Sequence, residues 1–370
     1  MRWPRCARGG WTHERAAVVS IPALPPLAPW QQRAYDQAAA ALDAGRLGHA
    51  LLFCGPAQLG KRIVAERLAQ RVLCPSRAPG EEPCGRCRSC TLFAARVQAD
   101  PPELRPDGTL AHPWGRPGHP DVRFIGYAIN ERTGKPRTEI VIDQVRVLSQ
   151  ALALTPQMGV AQVSLVEPAD ALGHAAANAL LKTLEEPQPG RYLWLVASEP
   201  ARLPATIRSR CQKLEFRLPP REEALAWLRA QGHDAKAAGE ALDAARGHPG
   251  MAAAWLAGDG LDLRREVARD LDALARGDAS AAATAQRWTG DEQAALRLRF
   301  AADLALEQAA TQQAAPDPSA GLTASARTRR LAAWFDAANR TAALLRTQVR
   351  ADLAVAELLL AWPAQARGAR

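Results

Sequence analysis

Three short and almost wholly apolar runs constrain the fold of this chain more than any other feature. They occupy residues 50–54, 163–166 and 192–196, and helical stretches lie between them. A strand that is apolar at nearly every position is buried on both faces. Apolar strands that alternate with helices predict a parallel sheet covered by helices on both sides. We therefore expect an α/β domain.

After Pro219 and Pro220 the pattern is helical throughout, with apolar residues every three or four positions. A length of 370 residues exceeds what one core usually supports. We predict four parts: a disordered leader at 1–26, the α/β domain at 27–218, a small helical domain at 219–260 and an all-α domain at 261–370.

The composition excludes some classes of protein. No run approaches the ~20 apolar residues that cross a bilayer, so we predict no membrane segment. The net charge of +9 permits contact with nucleic acid, but a basic balance without a clustered stripe is weak support for it. Aromatic residues make up 5% of the chain and offer few platforms for stacking bases.

Residues Gly55–Arg62 nearly match the phosphate-binding loop G-x-x-x-x-G-K-[ST], between a predicted strand and a predicted helix. In such a loop the backbone N–H groups and the lysine, here Lys61, hold phosphates, while the Ser/Thr hydroxyl binds magnesium. Arg62 occupies that last position and cannot bind a metal ion. Gly55, Gly60 and Lys61 are therefore candidate phosphate ligands, and a glycine turn without nucleotide is an equal alternative.

The apolar run at 163–166 leads into Glu167, Pro168 and Asp170. An NTPase needs a metal-holding carboxylate at such a strand end, and often a second one that orients the attacking water. Glu167 meets the first need, whereas Pro168 supplies nothing at the next position. We interpret Asp170 as a helix cap. Two positions thus lack groups that hydrolysis needs.

Four cysteines form the strongest metal signal, with the spacing C-x9-C-x2-C-x2-C: Cys74, Cys84, Cys87 and Cys90. Four thiolates at these spacings surround one tetrahedral zinc ion in a closed, structural site. Unrelated reduced thiols or an iron–sulfur cluster are the alternatives. An odd, clustered set of seven cysteines favours a cytoplasmic protein over a disulfide framework.

The remaining segments carry further expectations. We predict strands at 121–127 and 139–142, and a flexible surface insertion at 99–120, which is rich in proline and glycine. The basic turn at 206–211 follows what we take as the last strand of the α/β domain.

Asn178–Pro187, which reads NALLKTLEEP, and Ser209-Arg210-Cys211 together resemble signatures of the bacterial clamp loader. With the altered phosphate loop and the four-cysteine insertion, the chain is similar to the delta-prime family of DNA polymerase III subunits. The resemblance implies an AAA+ domain with a zinc module at 74–90, a lid at 219–260 and a collar at 261–370 that assembles a five-subunit ring.

The resemblance also implies a function. Members of the family are stators that do not hydrolyse ATP, and the motif arginine, here Arg210 between Ser209 and Cys211, acts as an arginine finger on a neighbouring ATPase subunit. The implied partners are the delta and gamma/tau subunits, with the sliding clamp and primed DNA reached through the complex. The lid segment 247–251 lacks the arginine that active relatives place there.

Two other functions are compatible with the sequence. An active ATPase motor subunit of the same loader would use Gly60 and Lys61. A loop that no longer binds nucleotide would not need to keep these two residues. A zinc-dependent nucleic-acid-binding module would use the four cysteines, although basic and aromatic residues do not interleave around them.

Overall fold

The computed structural model describes residues 24–99, 102–106, 109–130, 132–159, 161–314, 321–345 and 349–366. The chain divides into two compact units, Met1–Leu218 and Pro219–Arg370. Of the predicted leader at 1–26, residues 1–23 lie outside the described residues. The division of the second unit into lid and collar stays a prediction.

The first unit contains a five-stranded parallel sheet and a two-stranded ribbon. Its strands are β1 (Ala50–Cys54), β2 (Arg96–Val97), β3 (Arg116–Pro117), β4 (Val122–Ile125), β5 (Gln162–Val166), β6 (Arg191–Ala197) and β7 (Gln212–Glu215). Its helices are α1 (Pro29–Asp43), α2 (Lys61–Leu73), α3 (Arg88–Ala94), α4 (Ile142–Ala153), α5 (His174–Glu185) and α6 (Ala205–Arg208). The sheet order is β4-β5-β6-β1-β7, and β2 pairs with β3 antiparallel.

Both faces of the sheet are buried, as the apolar runs predict. Successive strand residues point to opposite faces. Leu51 and Phe53 of β1 pack into one core with α1 and α2, whereas Leu52 packs into a second core with α4 and α5. Strands β5 and β6 divide their residues between the same two cores. The predicted α/β fold is confirmed.

One strand prediction was wrong, and one strand of the five-stranded sheet was missed. Residues 139–142 form no strand: Ile140 makes a single bridge to Leu172, and α4 already begins at Ile142. The side chain of Gln144 accepts a hydrogen bond from the backbone N–H of Val141 and starts the helix there. Strand β7 was missed because it is an edge strand in which only Leu214 is buried, so its sequence lacks an apolar run.

In the second unit all elements of the described part are helices. They are α7 (Arg221–Ala230), α8 (Ala235–Ala244), α9 (Pro249–Ala257), α10 (Gly260–Arg276), α11 (Ala281–Trp288), α12 (Ala294–Ala314), α13 (Gly321–Leu344) and α14 (Ala351–Ala366). Leu263, Val267, Leu271 and Leu274 of α10 are buried, as their spacing predicts. None of the described helices is apolar over enough length to cross a bilayer.

Helix α14 departs from the predicted pattern. The spacing of apolar residues after Pro219 predicts that Leu353 and Leu360 are buried, yet they are 59% and 69% exposed. Val355, Leu359 and Trp362 are buried in their place. The helix is apolar on nearly all sides, so its sequence period does not identify the face that packs.

Candidate functional site

Two glycines shape the loop between β1 and α2. Gly55 and Gly60 have φ angles of +139° and +80°. A Cβ atom at Gly55 would lie 2.1 Å from the carbonyl oxygen of Phe216, and one at Gly60 would lie 2.1 Å from Nε2 of Gln31. Both positions therefore require glycine, for backbone conformation and for space. The loop keeps the turn that a phosphate-binding loop needs.

Lys61 is folded back onto this loop. Its ammonium donates hydrogen bonds to the carbonyl oxygens of Gly55 and Pro56 at 2.7 and 2.6 Å, and lies 3.3 Å from Oγ of Ser198. Burial lowers the pKa of Lys61 to about 8, against the opposing charges of Glu167 and Asp170. The predicted phosphate ligand is thus engaged by its own loop.

The shifted pKa of Lys61 predicts a pH dependence of stability. Between about pH 8 and pH 10.5 the unfolded chain keeps a proton on Lys61 that the folded chain has lost. Stability rises with pH wherever the unfolded state binds more protons. In urea titrations, the free energy of unfolding of the wild-type chain should therefore rise by roughly 3 kcal/mol relative to that of Lys61→Met across this window. Parallel pH profiles for the two proteins would contradict the shift.

Arg62 fills the position where the loop pattern requires a hydroxyl. The residue is 7% exposed. Its Nε donates to Glu66 at 2.8 Å, and Nη1 donates to the carbonyl oxygen of Ala111 at 2.6 Å. Nη1 also lies 3.3 Å from Glu167, and the guanidinium carbon lies 4.7 Å from the ring centroid of Phe124. A fixed guanidinium therefore contacts the carboxylate that was the candidate metal ligand.

Asp170 has a different role from the predicted one. It lies in a short 3-10 turn, Ala169–Ala171, and its Oδ2 accepts hydrogen bonds from the backbone N–H groups of Ser198 and Glu199 at 3.1 and 2.7 Å. Its side chain therefore caps no helix. It joins the chain after β5 to the chain after β6, because both strands end at the same edge of the sheet.

Part of the predicted surface insertion packs against Arg62. We name residues 109–117 the covering segment. His112 within it is 7% exposed, and its Nδ1 contacts Nη2 of Arg62. His119, just beyond, is 2% exposed and bonds Ser89. The described part of the insertion is thus anchored by buried side chains, a difference from the flexible surface loop that the proline content predicts.

The four cysteines converge, as their spacing predicts. Cys74 follows α2, Cys87 caps α3, Cys90 lies in the first turn of α3, and Cys84 lies in the loop between the two helices. The four sulfur atoms all lie within 4.8 Å of one another. Zinc–sulfur bonds of ~2.3 Å in a tetrahedron place sulfur atoms ~3.8 Å apart. The cluster fits a structural zinc ion.

Backbone donors favour the thiolate form of Cys84, whereas burial raises the pKa of Cys90. The N–H groups of Cys84, Cys87 and Cys90 each lie 3.4 Å from the sulfur of another cysteine of the set. Backbone hydrogen bonds, first from Arg86, lower the pKa of Cys84 to about 6. A thiolate is the form that binds a metal ion.

An ion-pair network attaches the cluster to the domain. Glu82, two residues before Cys84, accepts hydrogen bonds from Tyr35 of α1 at 2.6 Å and from Arg71 of α2 at 2.5 Å. Arg71 also bonds Asp43 at 2.7 Å. Burial first, and then the hydrogen bond to Glu82, raises the pKa of Tyr35 to about 12. The cluster therefore lies in a module fixed to α1 and α2.

Arg210 lies between α6 and β7. The apolar pattern of the sequence indicates β6, the strand before this turn, as the last strand. Strand β7 comes after the turn, so the turn precedes the last strand. Its Nη2 lies 2.6 Å from Glu185 at the end of α5, and its Nη1 donates to the carbonyl oxygen of Thr206 at 3.0 Å. Ser209 bonds the same carbonyl at 3.1 Å. Cys211 is buried, which raises its pKa to about 11. The guanidinium is held in place while its side chain remains 37% exposed.

Arg210 and the phosphate loop lie at opposite ends of the parallel strands. Strands β1 and β7 are parallel, with Leu51 opposite Gln212 and Cys54 opposite Glu215. The loop begins after Cys54, at the carboxyl ends of the strands, whereas Arg210 precedes Gln212, at their amino ends. The three residue steps between these levels correspond to roughly 10 Å along the strands. Arg210 is therefore remote from the loop of its own chain.

Comparisons with known proteins identify the family. A family model described as "DNA polymerase III, delta subunit" matches residues 30–220. DNA polymerase III subunit delta' of Pseudomonas aeruginosa is 36% identical over 262 residues, which cover 70% of this chain and 70% of that protein. The chain belongs to the delta' family. The subunit delta' of Escherichia coli K12 is 34% identical over 246 residues, or 66% of this chain and 65% of its own length.

Proteins of a second family are also similar to this delta' family member. DNA polymerase III subunit gamma/tau of Mycobacterium tuberculosis is 33% identical over 182 residues, which cover 49% of this chain and 26% of that protein. The similarity therefore extends to a second kind of subunit of the same polymerase.

Three residues that close the loop of this delta' family member were not identified from the sequence. The side chain of Gln31 donates a hydrogen bond to the carbonyl oxygen of Leu59, Ser198 accepts one from Lys61, and the ring of His112 contacts the guanidinium of Arg62. All three are distant in sequence from their partners, so no local pattern predicts them. Glu66 was also missed, although its position four residues after Arg62 on a helix is a recognisable ion-pair spacing.

Proposed function

We propose that this chain is the stator of a clamp loader: a subunit that supports ATP-dependent loading of a sliding clamp onto primed DNA and supplies Arg210 to the ATP site of a neighbouring subunit. Membership of the delta' family supports the setting. The position of Arg210 carries the finer proposal, because an exposed, oriented guanidinium far from its own loop is suited to a site on another chain. The proposed partners are the delta and gamma/tau subunits, in the cytoplasm.

The chemistry of a guanidinium suits this role. Arginine presents a planar fork of donors to phosphate oxygens, which the point charge of lysine does not reproduce. Glu185 and Thr206 occupy one donor on each terminal nitrogen of Arg210. An arginine finger supplied by a neighbouring subunit stabilises charge that develops in the transition state of phosphoryl transfer. The proposal requires only that Arg210 reach a neighbouring site in the assembled ring.

Assembly and loading test the proposed function directly. The purified chain should co-purify with delta and gamma/tau subunits, and the reconstituted complex should load a clamp onto primed DNA in an ATP-dependent reaction. A loader that assembles and works equally well without this chain would contradict the stator role.

The second candidate is an active motor subunit, which the similarity to gamma/tau favours. Arg62 and Pro168 oppose it, because they occupy the positions of a magnesium ligand and of a water-orienting carboxylate. We therefore expect no ATP turnover by the isolated chain in a coupled phosphate-release assay, and the same background rate for Lys61→Ala. Turnover that Lys61→Ala abolishes would identify a motor subunit.

A further inference from the structure

We propose that the covering segment packs on Arg62 and occupies the end of the phosphate loop at which a magnesium ion would bind. Docking of the covering segment and binding of a magnesium nucleotide therefore exclude each other. The inference does not depend on the role of Arg210. It rests on a buried set of contacts between α2, the covering segment and the ends of β4 and β5.

Arg62 is the centre of these contacts. Its guanidinium reaches four different groups: the carboxylates of Glu66 and Glu167, the carbonyl oxygen of Ala111 and the ring of His112. In a working loop this position supplies a hydroxyl to magnesium, and a carboxylate at a neighbouring strand end helps to hold the ion. Here a guanidinium neutralises that carboxylate. The residues present do not fit a magnesium ion.

His112 completes the contact from the other side. Burial lowers the pKa of His112 and so favours the neutral ring, whose Nδ1 contacts Nη2 of Arg62 and whose Nε2 lies 2.9 Å from Nε of Arg116. Its Nε2 lies 3.2 Å from Glu103, and its ring packs edge-on against Phe124 with centroids 5.4 Å apart. The imidazole therefore has polar partners at both nitrogens and an apolar partner at its edge.

A second arginine fastens the covering segment to α2. Arg96, at the start of β2, donates to the carbonyl oxygens of Trp114 and Gly115 at 2.7 and 2.9 Å. It also bonds Glu66 at 2.6 Å, and Glu66 is fully buried between Arg62 and Arg96. A buried carboxylate shared by two guanidiniums is costly to separate from either of them. Both anchors of the covering segment therefore meet at one residue of the helix that follows the loop.

Little space remains at this end of the loop. The cavity enclosed by Arg62, Glu103, His112, Phe124 and Glu167 has a volume of about 20 Å³. That volume holds about one water molecule. A hydrated magnesium ion with a terminal phosphate requires several times more, so the covering segment must leave before such a ligand enters.

Hydrogen–deuterium exchange on the full-length chain tests this inference. Arg62→Thr restores the residue that the loop pattern requires and removes the main anchor, so amides of residues 109–116 should exchange at least roughly tenfold faster than in the wild type. Arg67→Thr is the matched control: Arg67 lies on the same helix but bonds the carbonyl oxygens of Leu24 and Pro25. It should leave that exchange unchanged.

A second arm uses magnesium ATP at millimolar concentration. In the wild type it should not slow the exchange of residues 55–64. Two results would overturn the inference: unchanged protection of the covering segment in Arg62→Thr, or protection of the loop by magnesium ATP while the covering segment stays protected. If circular dichroism shows that Arg62→Thr is unfolded, His112→Ala takes its place with the same expected and contrary results.

Discussion

Replacing Arg210 with alanine should sharply lower the DNA-stimulated ATPase of the reconstituted clamp loader. Removal of an arginine finger that acts in trans lowers turnover at the affected site by ~10³–10⁵. The loss for the whole ring should be smaller, because the motor subunits keep the sites between themselves. Arg210→Lys should recover little activity, because a lysine lacks the planar fork of donors.

The control separates catalysis from folding. Arg210 also bonds Glu185 and Thr206, so its loss removes local contacts. An exposed ion pair of this kind contributes at most about 1 kcal/mol, and thermal stability, zinc content and ring assembly should be nearly unchanged. Arg217→Ala removes an arginine that also pairs with a carboxylate but is more exposed than Arg210; it follows β7, at the carboxyl ends of the strands, and its loss should leave the ATPase intact. A fully assembled Arg210→Ala loader with wild-type ATPase and clamp loading would exclude the finger.

The largest effect on stability is expected from the cysteine cluster. Purified under reducing conditions, the chain should carry about one zinc ion, since four convergent thiolates form a closed tetrahedral site. Cys87→Ser removes a thiolate ligand but keeps at the N-cap of α3 a side chain that can accept the same backbone hydrogen bond. Zinc content should fall towards zero, and because metal binding contributes directly to folding, the melting temperature of the first unit should fall by on the order of 10 °C.

Arg88→Ser is the matched control for this prediction. Arg88 is exposed on the same helix, between Cys87 and Cys90, so the substitution leaves all four thiolates in place. It should keep both the zinc content and the melting temperature. Metal analysis that finds no zinc in the wild-type chain would contradict the assignment, whereas equal losses in Cys87→Ser and Arg88→Ser would indicate a general weakening of α3.

The sequence predicted best what local patterns determine. The apolar run at 50–54 became β1 with both faces buried, and the helical spacing of Leu263 and Val267 identified the buried face of α10. The cysteine spacing predicted that Cys87 and Cys90 lie close together, because residues three apart at the start of a helix are neighbours regardless of the rest of the fold. Cys74 and Cys84 reach them from the end of α2 and from the loop between the helices.

Features that depend on distant contacts could not be predicted. Strand β7 is polar because it lies at the sheet edge, and only the pairing with β1 makes it a strand. The composition of the covering segment is that of a loop. The residues that anchor it, Arg62 on α2 and Arg96 at the start of β2, are distant in sequence, so its own sequence does not predict that it is fixed. The substitution at Arg62 was visible in the sequence, but the four groups that surround it come from three separate parts of the chain.

A guanidinium that belongs to the chain and a bound metal ion contribute differently to the stability of a protein. A ligand stabilises a protein by mass action, so its contribution grows with its free concentration and vanishes on dilution. The charge of Arg62 faces Glu66 and Glu167 at a fixed local concentration that dilution and chelators do not change. This edge of the sheet should therefore keep the same stability whether magnesium is scarce or abundant.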